Sequence, residues 1–205
     1  PRAHRGLRAI PGTDGIALEL LEMSQAEATC RDVYARAVPL RPGMAERTDA
    51  LHRSATSDDP EHRSGSSRLR CVLARASASG EALGYAWFAV KSDWTPAGPA
   101  GSTHVRELIS LDAPSGAALV AFLCDIDLTT ETRFADLPVD HQLFRLLVEP
   151  HRSPPTLSDQ LWTRLIDVGA ALSSRTYAVD VDARLEVRDE FCGWNAGVWH
   201  LTGGP

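Results

Sequence analysis

Residues 104–128 read HVRELISLDAPSGAALVAFLCDIDL, and the apolar period changes once inside this stretch. From His104 to Leu111 the pattern alternates, so Val105, Glu107, Ile109 and Leu111 are expected on one face of a strand and Arg106, Leu108 and Ser110 on the other. From about residue 115 to residue 127 the spacing becomes helical, with Leu119, Phe122, Leu123 and Ile126 forming one apolar stripe. A strand that passes through a short turn into an amphipathic helix predicts an α+β (mixed α/β) fold.

The flanking segments extend that pattern in both directions. Upstream, residues 69–75 (LRCVLAR) and 83–90 (LGYAWFAV) read as strands joined by a turn at Ser79-Gly80-Glu81. Residues 26–38 read as a helix, because Cys30, Val33, Tyr34 and Ala37 recur at helical spacing. Ser24 with Glu27 three residues on has the spacing of a capping box. Arg41-Pro42-Gly43 breaks that helix, residues 44–53 are expected to form a second one, and residues 58–67 and 95–102 read as loops. Residues 1–16 are basic and glycine-rich and read as a linker. Downstream, residues 132–134 form a strand candidate. Residues 149–155 hold three prolines and mark the domain boundary. Beyond it, residues 161–166 (LWTRLI) alternate as a strand, 168–174 suit a short helix, and 183–187 and 198–201 are further strands. The expected organisation is a linker (1–16), a first domain (17–148), a second linker (149–157) and a second, partial domain (158–205).

Composition narrows the partners. The net charge of -6 argues against nucleic acid, which calls for a basic face. The longest apolar-rich run, residues 116–123, falls far short of the roughly 18–20 residues of a membrane-spanning helix. No apolar segment follows the basic opening residues as a signal peptide requires. The expectation is therefore a soluble, cytoplasmic protein with no membrane and no nucleic-acid partner. Cys30, Cys71, Cys124 and Cys192 are scattered, without the close spacing of a zinc site, and read as buried, reduced thiols; no metal is expected. The chain starts at Pro1 rather than Met and stops at Gly203-Gly204-Pro205 after a strand-like run, which suggests a piece of a longer protein.

Two segments carry a resemblance. One is Gly84-Tyr85-Ala86 with Val105-Arg106-Glu107-Leu108 and the helix ending in Asp125-Ile126-Asp127-Leu128. The other runs from Leu161-Trp162-Thr163-Arg164-Leu165-Ile166-Asp167-Val168 through Ala170-Ala171-Leu172, Arg175, Tyr177 and Leu185-Glu186-Val187 to Trp194-Asn195-Ala196-Gly197. Together they resemble the enhanced-intracellular-survival (Eis) family of acetyl-CoA-dependent N-acetyltransferases of the GNAT type. That family is built from a GNAT domain that binds acetyl-CoA, a second, degenerate GNAT-like domain, and a sterol-carrier-protein-like domain whose final carboxylate reaches the active site. By this resemblance residues 17–148 are the degenerate domain and residues from about 158 onward are the opening of the sterol-carrier-like one. The first domain and the C-terminal end are expected to lie outside this sequence. The resemblance also implies a homo-oligomer, a hexamer among relatives, and an amine-bearing small molecule or lysine side chain as acceptor, aminoglycosides included.

The chemistry of such an enzyme is not expected in these residues. A working GNAT domain cradles the coenzyme A pyrophosphate in a Q/R-x-x-G-x-G/A turn, where glycines let backbone N–H groups and a helix N-terminus approach the phosphate. The matching turn here is Leu111-Asp112-Ala113-Pro114-Ser115-Gly116-Ala117-Ala118, with one glycine and no basic residue. Asp112 repels phosphate and Pro114 has no N–H to give. The base and acid implied by the resemblance, a C-terminal carboxylate and a first-domain tyrosine, are absent, so no catalytic, cofactor-binding or metal residue is assigned. His52 alone is assigned, as a residue lining the substrate pocket. Asp125, Asp127 and Asp140 are read as solvated carboxylates, and His104 beside Arg106 and Glu107 as structural rather than a proton shuttle. Ser173-Ser174 lacks the surroundings of a nucleophile. Trp87, Trp162, Trp194 and Trp199 are expected in cores, and Trp94 at the surface. Two alternatives stay open: a non-catalytic module for a hydrophobic ligand or protein assembly, and an acyltransferase of natural-product biosynthesis.

Overall fold

Alternation along the strands decides the layers. The computed structural model describes residues 6–159 and 162–205, and the chain divides into two compact units between Pro154 and Pro155. In chain order the first unit comprises β1 (Ile16–Glu22), α1 (Met23–Ala37), α2 (Asp49–Thr56), β2 (Arg70–Ala76), β3 (Ala82–Lys91), a small hairpin of β4 (Trp94–Thr95) and β5 (Gly98–Pro99), β6 (Gly101–Ser110), α3 (Ala113–Cys124), β7 (Thr129–Phe134) and α4 (Leu143–Leu146). Five strands form one sheet in the order β1-β2-β3-β6-β7. Neighbours are antiparallel except the parallel pair β6–β7, which α3 connects.

Val72, Ala74, Ala86 and Phe88 point to one face of this sheet and pack with Leu119, Val120 and Leu123 of α3. The residues between them, Cys71, Leu73, Tyr85 and Trp87, point to the other face and pack with Ala26, Cys30 and Val33 of α1. The sheet is thus covered on both sides, as continuous apolar strands require.

β6 departs from simple alternation. Trp87 pairs with Glu107 and Phe88 with Val105, so Arg106 is skipped as a bulge. Val105 and Leu108 therefore enter the α3 core together, while Ile109 and Leu111 pack on the α1 side. The expected grouping of Val105 with Glu107 and Ile109 is corrected by this one extra residue.

Side chains set the starts of α1, α2 and α3. The expected capping box at Ser24 and Glu27 lies two residues earlier: Glu22 accepts from the Gln25 backbone and Gln25 Oε1 accepts from Glu22 N. The second helix begins at Asp49 rather than at residue 44, because Thr48 Oγ1 accepts from Leu51 N at 3.3 Å and acts as the N-cap. Residues 44–48 carry no regular structure. Residues 1–5 of the basic opening lie outside the described residues; beyond them Leu7 bridges Leu147, and Arg8 N donates to Leu146 O at 2.7 Å.

His141, at the start of α4, makes acid sensitivity predictable. It is buried, and its Nδ1 accepts from Leu143 N at 3.1 Å. Burial, helped by the Arg41 charge and opposed by Asp140, pushes its pKa down to about 4. Burial also lowers the pKa of His52. A group whose folded pKa lies below its unfolded value gives its full stabilisation above the unfolded pKa, near 6.5, and loses it as pH falls through the folded one. Stability is expected to drop between about pH 6.5 and pH 4, with His141 responsible for about 2–3 kcal/mol of the loss. His141→Asn, which keeps an acceptor and cannot titrate there, should flatten the curve of urea midpoint against pH. An unchanged slope would refute the assignment.

The second unit contains α5 (Val168–Ser173), β8 (Val181–Val187) and β9 (Gly197–Gly203), the strands pairing antiparallel. Asn195 is its buried hub. Oδ1 accepts from Val168 N at 3.1 Å, and Nδ2 donates to Leu165 O at 3.3 Å and Asp189 Oδ2 at 3.2 Å. Asp167 caps α5 by accepting from Ala170 N. The Trp199 ring lies over Gly169, where a Cβ would sit 2.8 Å from it, so only glycine fits. Leu161 lies outside the described residues, and residues 162–166 are not the expected strand. Side chains use their carbonyls instead: Trp194 Nε1 donates to Ile166 O at 2.8 Å, beside the Asn195 bond to Leu165. Trp162 and Trp194 are accordingly exposed rather than in a core, whereas Trp87 is fully buried and Trp94 lies at the surface as expected.

Candidate functional site

Two places on the first unit combine chemistry with a fixed geometry. The first is the turn from β6 into α3. Asp112 is the helix N-cap, and its carboxylate accepts from Ser115 N at 2.8 Å. The buried Ser115 hydroxyl is itself directed to Leu83 O and Asp112 O, both at 3.2 Å. Pro114 occupies the first turn. The Gln142 side-chain amide fills the space beside Gly116, 1.7 Å from where a Cβ would stand. Gly12 approaches Pro114, its Cβ position 3.4 Å from the ring. A helix N-terminus attracts an anion through free N–H groups and the dipole. Here one of those N–H groups is bound to a carboxylate that carries negative charge itself. The residues do not fit the pyrophosphate of coenzyme A.

The second place is a groove of about 410 Å³ on the α1 side of the sheet. Arg47, Trp87, Arg106, Glu107 and Asp136 line it, with Ser54, Ala55 and Ser57 from the end of α2. Glu107 is the centre of this site. Arg47 Nη1 donates to its Oε1 at 3.0 Å, Nη2 donates to Oε2, and the Tyr85 hydroxyl donates to Oε1 at 2.5 Å. The Arg47 guanidinium also lies 3.9 Å from the Tyr34 ring centroid and 5.5 Å from that of Trp87. Burial alone would lower the Arg47 pKa, but the hydrogen bond and charge of Glu107 outweigh it and hold the guanidinium firmly cationic. Burial and then the Glu107 carboxylate push the Tyr85 phenol well above its ordinary range, so it stays a donor. Both oxygens of this carboxylate are held, by two N–H groups of one guanidinium and by a phenol, an arrangement suited to binding a cation.

His52 sits behind this cluster, not among the groove-lining residues. It is buried on α2 with its ring edge-on to Trp87 at 6.1 Å, and its Nε2 has no hydrogen bond, the Glu27 carboxylate lying 3.4 Å away. His104 is apart from Glu107, its Nε2 within 2.8 Å of the Ser102 hydroxyl. Arg106, displaced by the bulge, donates to Ser57 O at 2.6 Å and Ala55 O at 3.4 Å. Asp140 pairs with Arg41 at 3.6 Å. All four cysteines are unbridged; Cys124 is exposed, correcting the expectation of four buried thiols. Cys30 and Cys71 lie 3.6 Å apart, and Trp87 Nε1 donates to Cys30 Sγ at 3.4 Å. Among the described residues no three His, Cys, Asp or Glu side chains gather as a metal-holding group, and no helix is long and apolar enough to cross a membrane.

Sequence reading missed the Arg47–Glu107 pair, because sixty residues separate its members. The available signal was one carboxylate inside an apolar strand, which must find a partner once buried.

Known proteins give the frame for these observations. A family model described as an acetyltransferase (GNAT) domain matches residues 43–170, and one described as a sterol carrier protein domain matches residues 168–205. An uncharacterized N-acetyltransferase of Streptomyces avermitilis is 43% identical over 193 residues, covering 94% of this chain and 47% of its own length. One from Streptomyces coelicolor is 42% identical over 192 residues, covering 94% and 46%. Among solved structures, Eis1 from Mycobacterium abscessus superposes with a TM-score of 0.69 at 24% identity, over 96% of this chain and 48% of that one. A GCN5-related N-acetyltransferase from Anabaena variabilis gives 0.64 at 19% identity, over 98% and 47%. The mixed α/β fold of an acetyltransferase, followed by a sterol-carrier-like piece, is thereby shown. The chain spans about half the length of the curated relatives it matches.

Proposed function

The chain belongs to the acetyltransferase (GNAT) family, and from that premise we propose that it is the non-catalytic portion of an acetyl-CoA-dependent N-acetyltransferase acting on primary amines. The observation that carries this reading is the β6–α3 turn. Asp112 caps the helix, Pro114 lacks an N–H and Gln142 fills the space at Gly116, so the place where a GNAT domain holds its acyl carrier is closed by the protein's own side chains. Acyl transfer then takes place on other residues of the intact protein, and this portion supplies structure and a polar wall near the amine.

The reading places the intact protein in the enhanced-intracellular-survival group, with aminoglycoside-like or lysine amines as acceptors, a homo-oligomeric assembly and a cytoplasmic location. Residues 17–148 serve as the degenerate domain, residues 158–205 as the opening of the sterol-carrier-like one, and the remainder as linkers. His52 backs the substrate-facing wall through Trp87 rather than touching the groove. The exposed Trp162, Phe191, Trp194 and Val198 of the second unit support the assembly part of the role, because apolar side chains of this size are stabilised by burial against protein.

Isothermal titration of this chain with acetyl-CoA tests the proposal. No binding heat is expected up to millimolar cofactor. A micromolar dissociation constant would overturn it, since the closed turn would then have opened.

A further inference from the structure

The Arg47 guanidinium is held by side chains from other elements of the first unit. Glu107 and Tyr85 stand on paired strands β6 and β3, Trp87 lies two residues from Tyr85 on the same sheet face, and Tyr34 comes from α1. Tyr85 and Trp87 are fully buried and belong to the core between the sheet and α1. Arg47, by contrast, sits on residues 44–48, which have no regular structure and are otherwise mostly exposed. That segment is tied down by the Tyr34 hydroxyl donating to Ala45 O at 2.9 Å and by the exposed Arg31–Asp49 pair. Three walls stand on the sheet and one on α1, and the occupant is on a surface segment.

The walls have the chemistry of a receptor for a planar cation. Glu107 offers both carboxylate oxygens to two parallel N–H groups, an arrangement that suits guanidinium better than ammonium. The Tyr34 ring lies at stacking distance and the Trp87 ring lies further out. The groove of about 410 Å³, lined by Arg47, Trp87 and Glu107, adjoins the cage and leaves room for a ligand larger than one side chain. We propose that Tyr34, Tyr85, Trp87 and Glu107 form a recognition site for an alkylguanidinium cation, kept filled in this chain by its own Arg47. The segment around Arg47 is an internal ligand, and its withdrawal opens the cage to a guanidine-bearing molecule arriving through the groove. This site is separate from the acyl-carrier turn and does not depend on the family's reaction.

The test empties the cage. Arg47→Met keeps much of the arginine stem's volume and removes the charge. Methylguanidinium at about ten times its dissociation constant should raise the melting temperature of this variant by about 3–6 °C. Methylammonium should raise it less. The native chain should show no rise, because Arg47 competes from within. Arg47→Met combined with Glu107→Gln should lose the response. If Arg47→Met is unfolded alone, its circular dichroism is followed during the same titration. Folding induced by methylguanidinium supports the site, and a variant that stays unfolded overturns it. The proposal also fails if the folded variant shows no shift, if methylammonium matches or exceeds methylguanidinium, or if the native chain or the double variant responds equally.

Discussion

Glu107→Ala is expected to lower the unfolding free energy by about 2–4 kcal/mol, between the values for an exposed ion pair and for a fully buried one. The size follows from what remains. Arg47 and Glu107 have side-chain exposures of 18% and 15%, so the half-buried guanidinium left behind would recover only part of its hydration through the groove. The Tyr85 hydroxyl would lose the acceptor of its 2.5 Å bond in the same step. Removing both charges should be milder than removing the carboxylate alone, because the largest penalty is an unpaired buried charge rather than a missing attraction. Urea unfolding of Glu107→Ala, Arg47→Ala and the double variant gives the coupling energy directly. A loss below about 1 kcal/mol for Glu107→Ala would mean that the pair behaves as a solvated surface bridge.

That pair also shows where sequence reading stops. β2 and β3 were legible because each strand has one local period, and Cys71, Leu73, Tyr85 and Trp87 separate from Val72, Ala74, Ala86 and Phe88 by simple alternation. α3 was legible because its apolar stripe lies within one segment, although the helix spans Ala113–Cys124 rather than residues 115–127, its start being set by the Asp112 cap. The bulge at Arg106 was not, since it is defined by which residue of β3 faces which residue of β6, a non-local relation. It also shifts Glu107 relative to Val105, so the error in the face of one apolar residue concealed the site. Residues 162–166 failed for a related reason. They alternate like a strand, but the Asn195 and Trp194 side chains take the Leu165 and Ile166 carbonyls from some thirty residues away. At the β6–α3 turn Asp112 and Pro114 are local to the segment, and the structure adds the Asp112 cap on Ser115 N. Gln142, which fills the space at Gly116, lies twenty-six positions further along and gave no signal.

Trp87→Ala is expected to have the other large effect, about 3–5 kcal/mol, as for an aromatic residue truncated in a packed core. The ring is fully buried and has three neighbours. It lies 5.2 Å from the Tyr85 ring and 6.1 Å from the His52 ring, and its Nε1 donates to Cys30 Sγ. Truncation leaves a void between β3, α1 and α2 that a two-sided sheet cannot close by collapse, because the strand positions are fixed by pairing on both edges. For the first unit the melting temperature should fall by about 6–20 °C. Trp87→Phe separates packing from polarity. It keeps most of the apolar contact and loses the N–H to Cys30, so its loss should stay near 1–2 kcal/mol. Comparable losses for the two variants would mean that the Trp87–Cys30 bond, rather than ring volume, fixes this side of the core. Trp87 is also one wall of the cation cage, and that gives a second reading of the same pair. If Trp87→Phe holds the fold yet weakens methylguanidinium binding in the Arg47→Met background, the indole face contributes to recognition beyond its part in packing.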